Sequence, residues 1–237
     1  MKLSAPVYRL KRKAKELARK DDIPLHLALD RVAIGEGFGA WSLLAAKSAE
    51  IQSAEGLLAH LEPGDLLLIG ARPGHGKTLL SLQLAVEAMK AGRRAIFFTL
   101  EYTARDVLGR FRALGVDLAQ FEGLFSFDDS AAISADHIMR LLAEAPRGTL
   151  AIVDYLQVLD QKRGNPELMV QIQALKAFAQ ARGVILAFIS QIDRSYDPAL
   201  KPCPDLSDIR LPNPLDLSLF SKSCFLNEGE MRFQAAG

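Results

Sequence analysis

The chain is poor in cysteine: Cys203 and Cys224 are the only two in 237 residues, and neither belongs to a CxxC pair or stands in a histidine cluster. That argues against a metal site of the thiolate type. It leaves a disulfide open, with reduced thiols in a cytoplasmic protein as the plainer reading. Long apolar runs are lacking as well. Nothing approaches the ~20 residues of a membrane-crossing helix, and no apolar stretch follows the basic N-terminus, so neither a span nor a secretory leader is expected. Net charge is almost absent too, with 29 Lys/Arg against 28 Asp/Glu. The chain as a whole is not a polycation, but its charge is uneven. Residues 1–20 hold eight cations (Lys2, Arg9, Lys11, Arg12, Lys13, Lys15, Arg19, Lys20) against Glu16, a net of +7, which leaves 21 basic and 27 acidic residues elsewhere. Any generic attraction to nucleic acid is therefore expected at the N-terminus and not over the body.

With 49% hydrophobic residues, the chain can bury one substantial core with a small appendage. Two parts are expected: a helical module over residues 1–50 and an α/β domain over 51–237. "VYRLKRKAKELARK" places Val7, Leu10, Ala14, Leu17 and Ala18 at helical spacing, with cations on the rest of the surface. "IPLHLALDRVAIGEGFGAWSLLAAK" reads as two more short helices broken around Gly35–Gly39. Three such helices fit a DNA-reading helix-turn-helix, but the plainer reading is a bracket docking on the main domain, a neighbouring subunit or another protein partner.

Beyond Leu57, short β-type runs alternate with longer helical ones. Strands are expected at 65–70, 95–100, 124–127, 149–154 and 184–190, and helices at 77–91, 103–114, 134–145 and 166–182. The last helix should be capped by Asn165, with Pro166 at its first position. Strands apolar on both faces, alternating with helices, imply a mostly parallel sheet covered by helices. "SLFSKSCFLNEGEMRFQ" reads as a hairpin turning at 227–229.

The most specific stretch is "LLLIGARPGHGKTLL". Ala71, Arg72, Pro73, Gly74, His75, Gly76, Lys77, Thr78 and Leu79 form a glycine-bearing loop between an apolar strand and a helix. This is the pattern of a phosphate-binding loop with alanine in its first position. Gly74 and Gly76 let backbone N–H groups, including that of His75, turn inward on phosphate oxygens, and the following helix aims its positive end at the same anion. Lys77 offers a mobile cation for β- and γ-phosphates, and Thr78 a hydroxyl for Mg²⁺. An ordinary turn would not explain Lys-Thr at a helix start. Asp154, ending the apolar "TLAIVD", is placed to hold Mg²⁺ through water. Glu101, after "AIFFTL", is placed to polarise water near the γ-phosphate. Gln191, at the end of "VILAFISQ", offers a neutral amide to the γ-phosphate or the water.

Together "ARPGHGKT", "FFTLEYTARDVLGR", "IVDYLQ", "ISQIDR" and "PDLSDIR" resemble, in order, the motifs of the ATPase domain of DnaB-type replicative helicases, within the RecA-like superfamily. The resemblance covers roughly residues 55–227. It implies a RecA-like P-loop NTPase fold and ATP with Mg²⁺. It also implies Glu101 as catalytic base, with Lys77, Thr78, Asp154 and Gln191 in the roles above. A homo-oligomer, commonly a hexameric ring gripping single-stranded DNA through channel loops, is implied as well. The chain departs from that pattern at its ends. Residues 1–50 do not resemble the family's primase-interacting domain, and the stretch after "SDIR" is abbreviated. Arg232, the only arginine after Arg210, is not assigned the role of a finger reaching into a neighbour's ATP. The loop from Arg194 to Arg210, which corresponds to the DNA-contacting loop, mixes Arg194, Lys201 and Arg210 with Asp197, Asp205 and Asp208, follows directly on Asp193, and reads equally as a solvated, proline-stiffened loop. Two functions follow from these features: a DNA-dependent ATPase or helicase, and an ATP-controlled switch or scaffold closer in behaviour to KaiC-like proteins.

Overall fold

The computed structural model describes residues 4–5, 7–50, 53–160, 164–201, 203–211, 213–228 and 230–235. Lys2 and Gly229, which the sequence reading used, lie outside them. The chain divides into two compact units, Met1–Gly56 and Leu57–Gly237.

The first unit holds three helices, α1 (Val7–Lys20), α2 (Leu25–Gly35) and α3 (Trp41–Glu50), with the break where the glycines predicted it. Its core is small. Leu10 and Ala14 of α1 pack with Ala28, Val32 and Ala33 of α2 and Leu44 of α3, and Val7, Leu17 and Ala18 line its edge. The start of α3 is tied to α2 by the Trp41 N–H, which donates to Asp30 Oδ1 at 2.8 Å.

Helix α4 (Ala54–Ala59) crosses the division, and the second unit then runs β1 (Leu66–Ala71), α5 (Lys77–Lys90), β2 (Ala95–Thr99), α6 (Ala104–Ala113), β3 (Phe125–Asp128), α7 (Ala135–Leu141), β4 (Leu150–Asp154), α8 (Leu168–Arg182), β5 (Ile185–Gln191), β6 (Lys222–Asn227) and β7 (Glu230–Ala235). The seven strands form one sheet in the order β3-β2-β4-β5-β1-β6-β7. All neighbours are parallel except β6 and β7, which make the expected antiparallel hairpin. Every residue of β1, β2 and β4 is buried, as a sheet covered on both faces requires. On one face Leu68, Phe98, Val153 and Phe188 join the buried side of α8, including Ile172 and Leu175. The alternate residues Leu67, Ile69, Phe97 and Ile152 are equally buried on the other face. There α5 packs against β1, β2, β4 and β5 and buries Leu80, Leu84 and Ala88.

Two local expectations, both helix boundaries, need correction. Helix α8 starts at Leu168, two residues later than the Pro166 signal indicated, and Glu167 stands at its N-cap without a side-chain bond. Asn165 instead turns its amide onto the Leu159 carbonyl at 3.0 Å, and the Pro166 carbonyl accepts from the buried Gln171 amide at 2.8 Å. A tertiary demand for buried partners thus outcompeted the local cap. Helix α7 ends at Leu141 and not at Ala145. The two cysteines are free and buried. Cys203 packs in the cluster that contains Phe225, whereas Cys224 alternates with Phe225 along β6 and so faces the other side of the sheet. Burial raises both thiols, Cys203 to about 11.

Candidate nucleotide site

The parallel strands bring their carboxyl ends to one edge, where ligands of open α/β sheets bind. Strand β1 ends at Ala71 and α5 starts at Lys77. Between them Gly74 and Gly76 take φ values of +80° and +85°. A Cβ at either position would meet nothing within 4 Å, so it is the left-handed backbone and not crowding that calls for glycine there. Gly76 is the N-cap of α5, which leaves the first N–H groups of a 14-residue helix without a side-chain cap. Just before the loop, Gly70 is glycine for another reason: a Cβ there would fall 2.8 Å from ring carbons of Phe225 on the neighbouring strand.

Sheet register brings the remaining residues to this loop. Gln191 is paired with Ala71, and Asp154 with Thr99. Glu101 lies two residues past β2, where its N–H donates to Thr99 Oγ1 at 3.0 Å and its side chain is exposed. Thr78, the second residue of α5, is buried and its hydroxyl donates to Asp154 Oδ2 at 3.2 Å. Asp154 is itself fully buried, and its Oδ1 has no hydrogen-bond partner among the described residues. Its pKa is pushed up to about 6, first by burial and then by the nearby Glu101 carboxylate, against the pull of Lys77, Thr78 and Arg110. A buried carboxylate with an orphaned oxygen beside a hydroxyl is a donor set suited to a hard divalent cation. Lys77 is half-buried at the mouth of α5, while Pro73 and Leu79 are exposed. His75 turns its ring toward the hairpin, where the Glu228 N–H approaches Nδ1 at 3.5 Å.

The structure adds contacts that the sequence reading did not contain. The Arg72 guanidinium donates to the Tyr196 carbonyl and lies 5.2 Å from the centre of the Tyr196 ring. A residue read only as part of the phosphate loop thus ties that loop to the segment after β5. That segment is closed at its base by an Ile192–Ile209 bridge and by the Arg210 N–H donating to the Gln191 carbonyl at 2.8 Å. Gln157, three residues past Asp154, donates to the Arg210 carbonyl at 2.9 Å and reaches Ser190 Oγ at 3.5 Å. A polar residue inside the apolar "LQVL" was the available signal for it. Within the segment, Lys201 pairs with Asp205 at 2.7 Å and with Asp208, so this cation is committed internally, while Arg194 and Arg210 are exposed. Arg110 of α6 stacks on Tyr102, its guanidinium carbon 4.2 Å from the ring centre, and adds positive potential at Asp154.

Known proteins resemble this chain. The chain is 25% identical to a probable plasmid replicative DNA helicase of Chlamydia trachomatis serovar L2 over 73% of this chain and 47% of that protein. It is 26% identical to the replicative DNA helicase DnaB of Mycoplasma genitalium over 63% of this chain and 39% of that protein. The chain thus spans less than half the length of these relatives. Among solved structures, one ATPase domain superposes with a TM-score of 0.55 at 21% identity, covering 71% of each chain, which supports the RecA-like fold. The family described as ATPase: KaiC matches residues 60–202, more than half of the chain and the span that contains the glycine loop, Glu101, Asp154 and Gln191. The chain belongs to this KaiC ATPase family, as a RecA-like P-loop domain homologous to DnaB replicative helicases.

Proposed function

We propose that the chain binds ATP with Mg²⁺ at the loop Ala71–Leu79 and hydrolyses it, as the motor of a DNA-dependent ATPase. The observation that carries this reading is the Thr78 hydroxyl 3.2 Å from a buried Asp154 whose second oxygen is unpartnered among the described residues, directly behind a glycine loop that opens a helix. In this reading the loop N–H groups and the N-terminus of α5 hold the phosphates, and Lys77 neutralises the β- and γ-oxygens. Thr78 and Asp154 hold the cation, Asp154 through water. Mg²⁺, when bound there, would offset the charge that develops on transfer. Glu101 takes a proton from the attacking water, and Gln191 orients that water or the γ-phosphate. Homology to replicative helicases favours DNA as the stimulating partner and a homo-oligomer, hexameric in the DnaB type, as the working form. The KaiC family match favours a second reading in which nucleotide sets the hold on a protein partner without unwinding.

Steady-state hydrolysis with and without single-stranded DNA tests these readings, with Glu101→Gln as the blank. The expected result is DNA-stimulated turnover that Glu101→Gln lowers by at least ~10²-fold while ATP still binds. Turnover indifferent to DNA supports the switch reading. A Glu101→Gln variant of normal rate assigns the base elsewhere.

A further inference from the structure

We infer that α1 is a docking surface for the phosphate backbones of a nucleic-acid duplex. The inference is independent of the ATPase reading, because it concerns the other unit.

Helix α1 carries exposed Arg9, Lys11, Arg12, Lys13, Lys15, Arg19 and Lys20 in 14 residues, with Glu16 its one acid. An ordinary solvated helix intersperses acids at i, i+4. Here Lys11–Lys15 and Lys15–Arg19 stack like charge on like, each an unfavourable pair. Glu16 relieves little, since its 3.1 Å contact with Arg12 is largely solvated. The macrodipole accounts for Arg19 and Lys20 in the last turn, but not for the five cations before them. Of the unit's other acids, Asp21 takes Arg31 at 3.1 Å, Asp30 caps α3, and Glu36 accepts from the Ser4 N–H at 2.6 Å while also feeling the charge of Lys13. The surface therefore holds concentrated positive charge on a folded scaffold, in a chain whose remainder has the opposite net charge.

The arrangement selects among polyanions. At 3.6 residues per turn, Lys11, Lys15 and Arg19 fall on one flank of the helix, and Arg9, Lys13 and Lys20 on another roughly 140° around the axis. A bilayer surface meets one side of a helix. A duplex groove presents phosphates on both walls, and the major groove is wide enough to admit a helix. Membrane insertion is closed in any case, because Leu10 and Ala14 are spent in the unit's own core. Phe38 and Trp41 also pack against that core, so they offer no stacking platform for unpaired bases.

The test is fluorescence anisotropy of the full chain, without nucleotide, on a labelled duplex of about two helical turns and on a single strand of equal length. Salt is raised from about 50 to about 200 mM. The expected result is duplex binding with a steep salt slope. Lys11→Gln/Lys15→Gln/Arg19→Gln should flatten that slope by about 2–3 and weaken binding at least tenfold, at about −0.9 per phosphate contact. Lys13→Gln/Lys20→Gln should flatten the slope by about 2 and weaken binding as well, while Arg140→Gln/Arg182→Gln on the other unit should leave both unchanged. Circular dichroism confirms that the helices persist in each variant. If either α1 variant keeps wild-type affinity and slope, the inference fails. It fails equally if the single strand binds more tightly than the duplex, or if vesicles with phosphatidylserine bind where the duplex does not. Because Lys77→Ala removes nucleotide binding and leaves α1 intact, duplex binding by that variant separates this outcome from that of the ATPase reading.

Discussion

Two residues of the candidate site have opposite electrostatic standing. Lys77 sits at the mouth of the glycine loop, so on the proposed function ATP·Mg²⁺ should raise the melting temperature by linkage and Lys77→Ala should abolish that rise. A thermal-shift titration that still shows the rise would remove the loop from the site. Asp154 is a charge held at a cost. Its folded pKa lies at about 6 against 3.8 for the free group, because burial and Glu101 disfavour the anion. For an acid raised in the folded state, the penalty is complete above pH ~6 and disappears as pH falls toward ~4. About two units correspond to roughly 3 kcal/mol as an upper bound. Asp154→Asn should therefore stabilise the nucleotide-free protein at pH 8 by about 1–2 kcal/mol in urea unfolding, while removing the Mg²⁺-dependent part of ATP binding. In the wild type, Mg²⁺-dependent ATP affinity should weaken as pH drops through 6. Destabilisation by Asp154→Asn would mean that Thr78 and Lys77 already compensate the charge.

At the scale of elements, the strand ends act as a single edge. Three contacts join the nucleotide loop and its neighbouring strands to the segment that follows β5: Arg72 with Tyr196, Gln157 with the Arg210 carbonyl, and the Gln191 carbonyl with the Arg210 N–H. A ligand that fixes the loop should therefore quiet that segment. Trypsin cleavage after the exposed Arg194 is expected to slow when ATP·Mg²⁺ is present. Tyr196→Ala, which removes the ring beneath the guanidinium, should keep the ATP-induced melting shift and lose this protection. Equal protection in wild type and Tyr196→Ala would leave Arg72–Tyr196 a passive packing contact. The capped start of α6 was readable from sequence, since Thr103 and Asp106 form a local capping box. The start of α8 was not, because its apparent cap, Asn165, is drawn to a carbonyl of the preceding turn.

At the scale of the molecule, two units with separate cores imply separable activities. A fragment of residues 57–237 should fold and retain the ATP·Mg²⁺ melting shift, and it should lose affinity for a DNA duplex. Differential scanning fluorimetry and anisotropy on the fragment check both; a fragment that binds duplex as the whole chain does would move the contact to the ATPase unit. The chain spans less than half of its helicase relatives, so homology to them does not by itself carry over their unwinding.

Some of this was fixed locally. Glycine at positive φ, a lysine and threonine opening a helix, and apolar strands ending in Asp154 and Gln191 are short-range patterns, because backbone conformation and burial period are set within a few residues. The α/β class and the helix break near Gly37 follow in the same way. What only the tertiary structure decided were the neighbours. The sheet order places β4 beside β2 and β5 beside β1, and thereby sets Asp154 against Thr78 and Arg72 against Tyr196. These pairings join residues brought together by crossovers and by competition for buried partners, which no local period records.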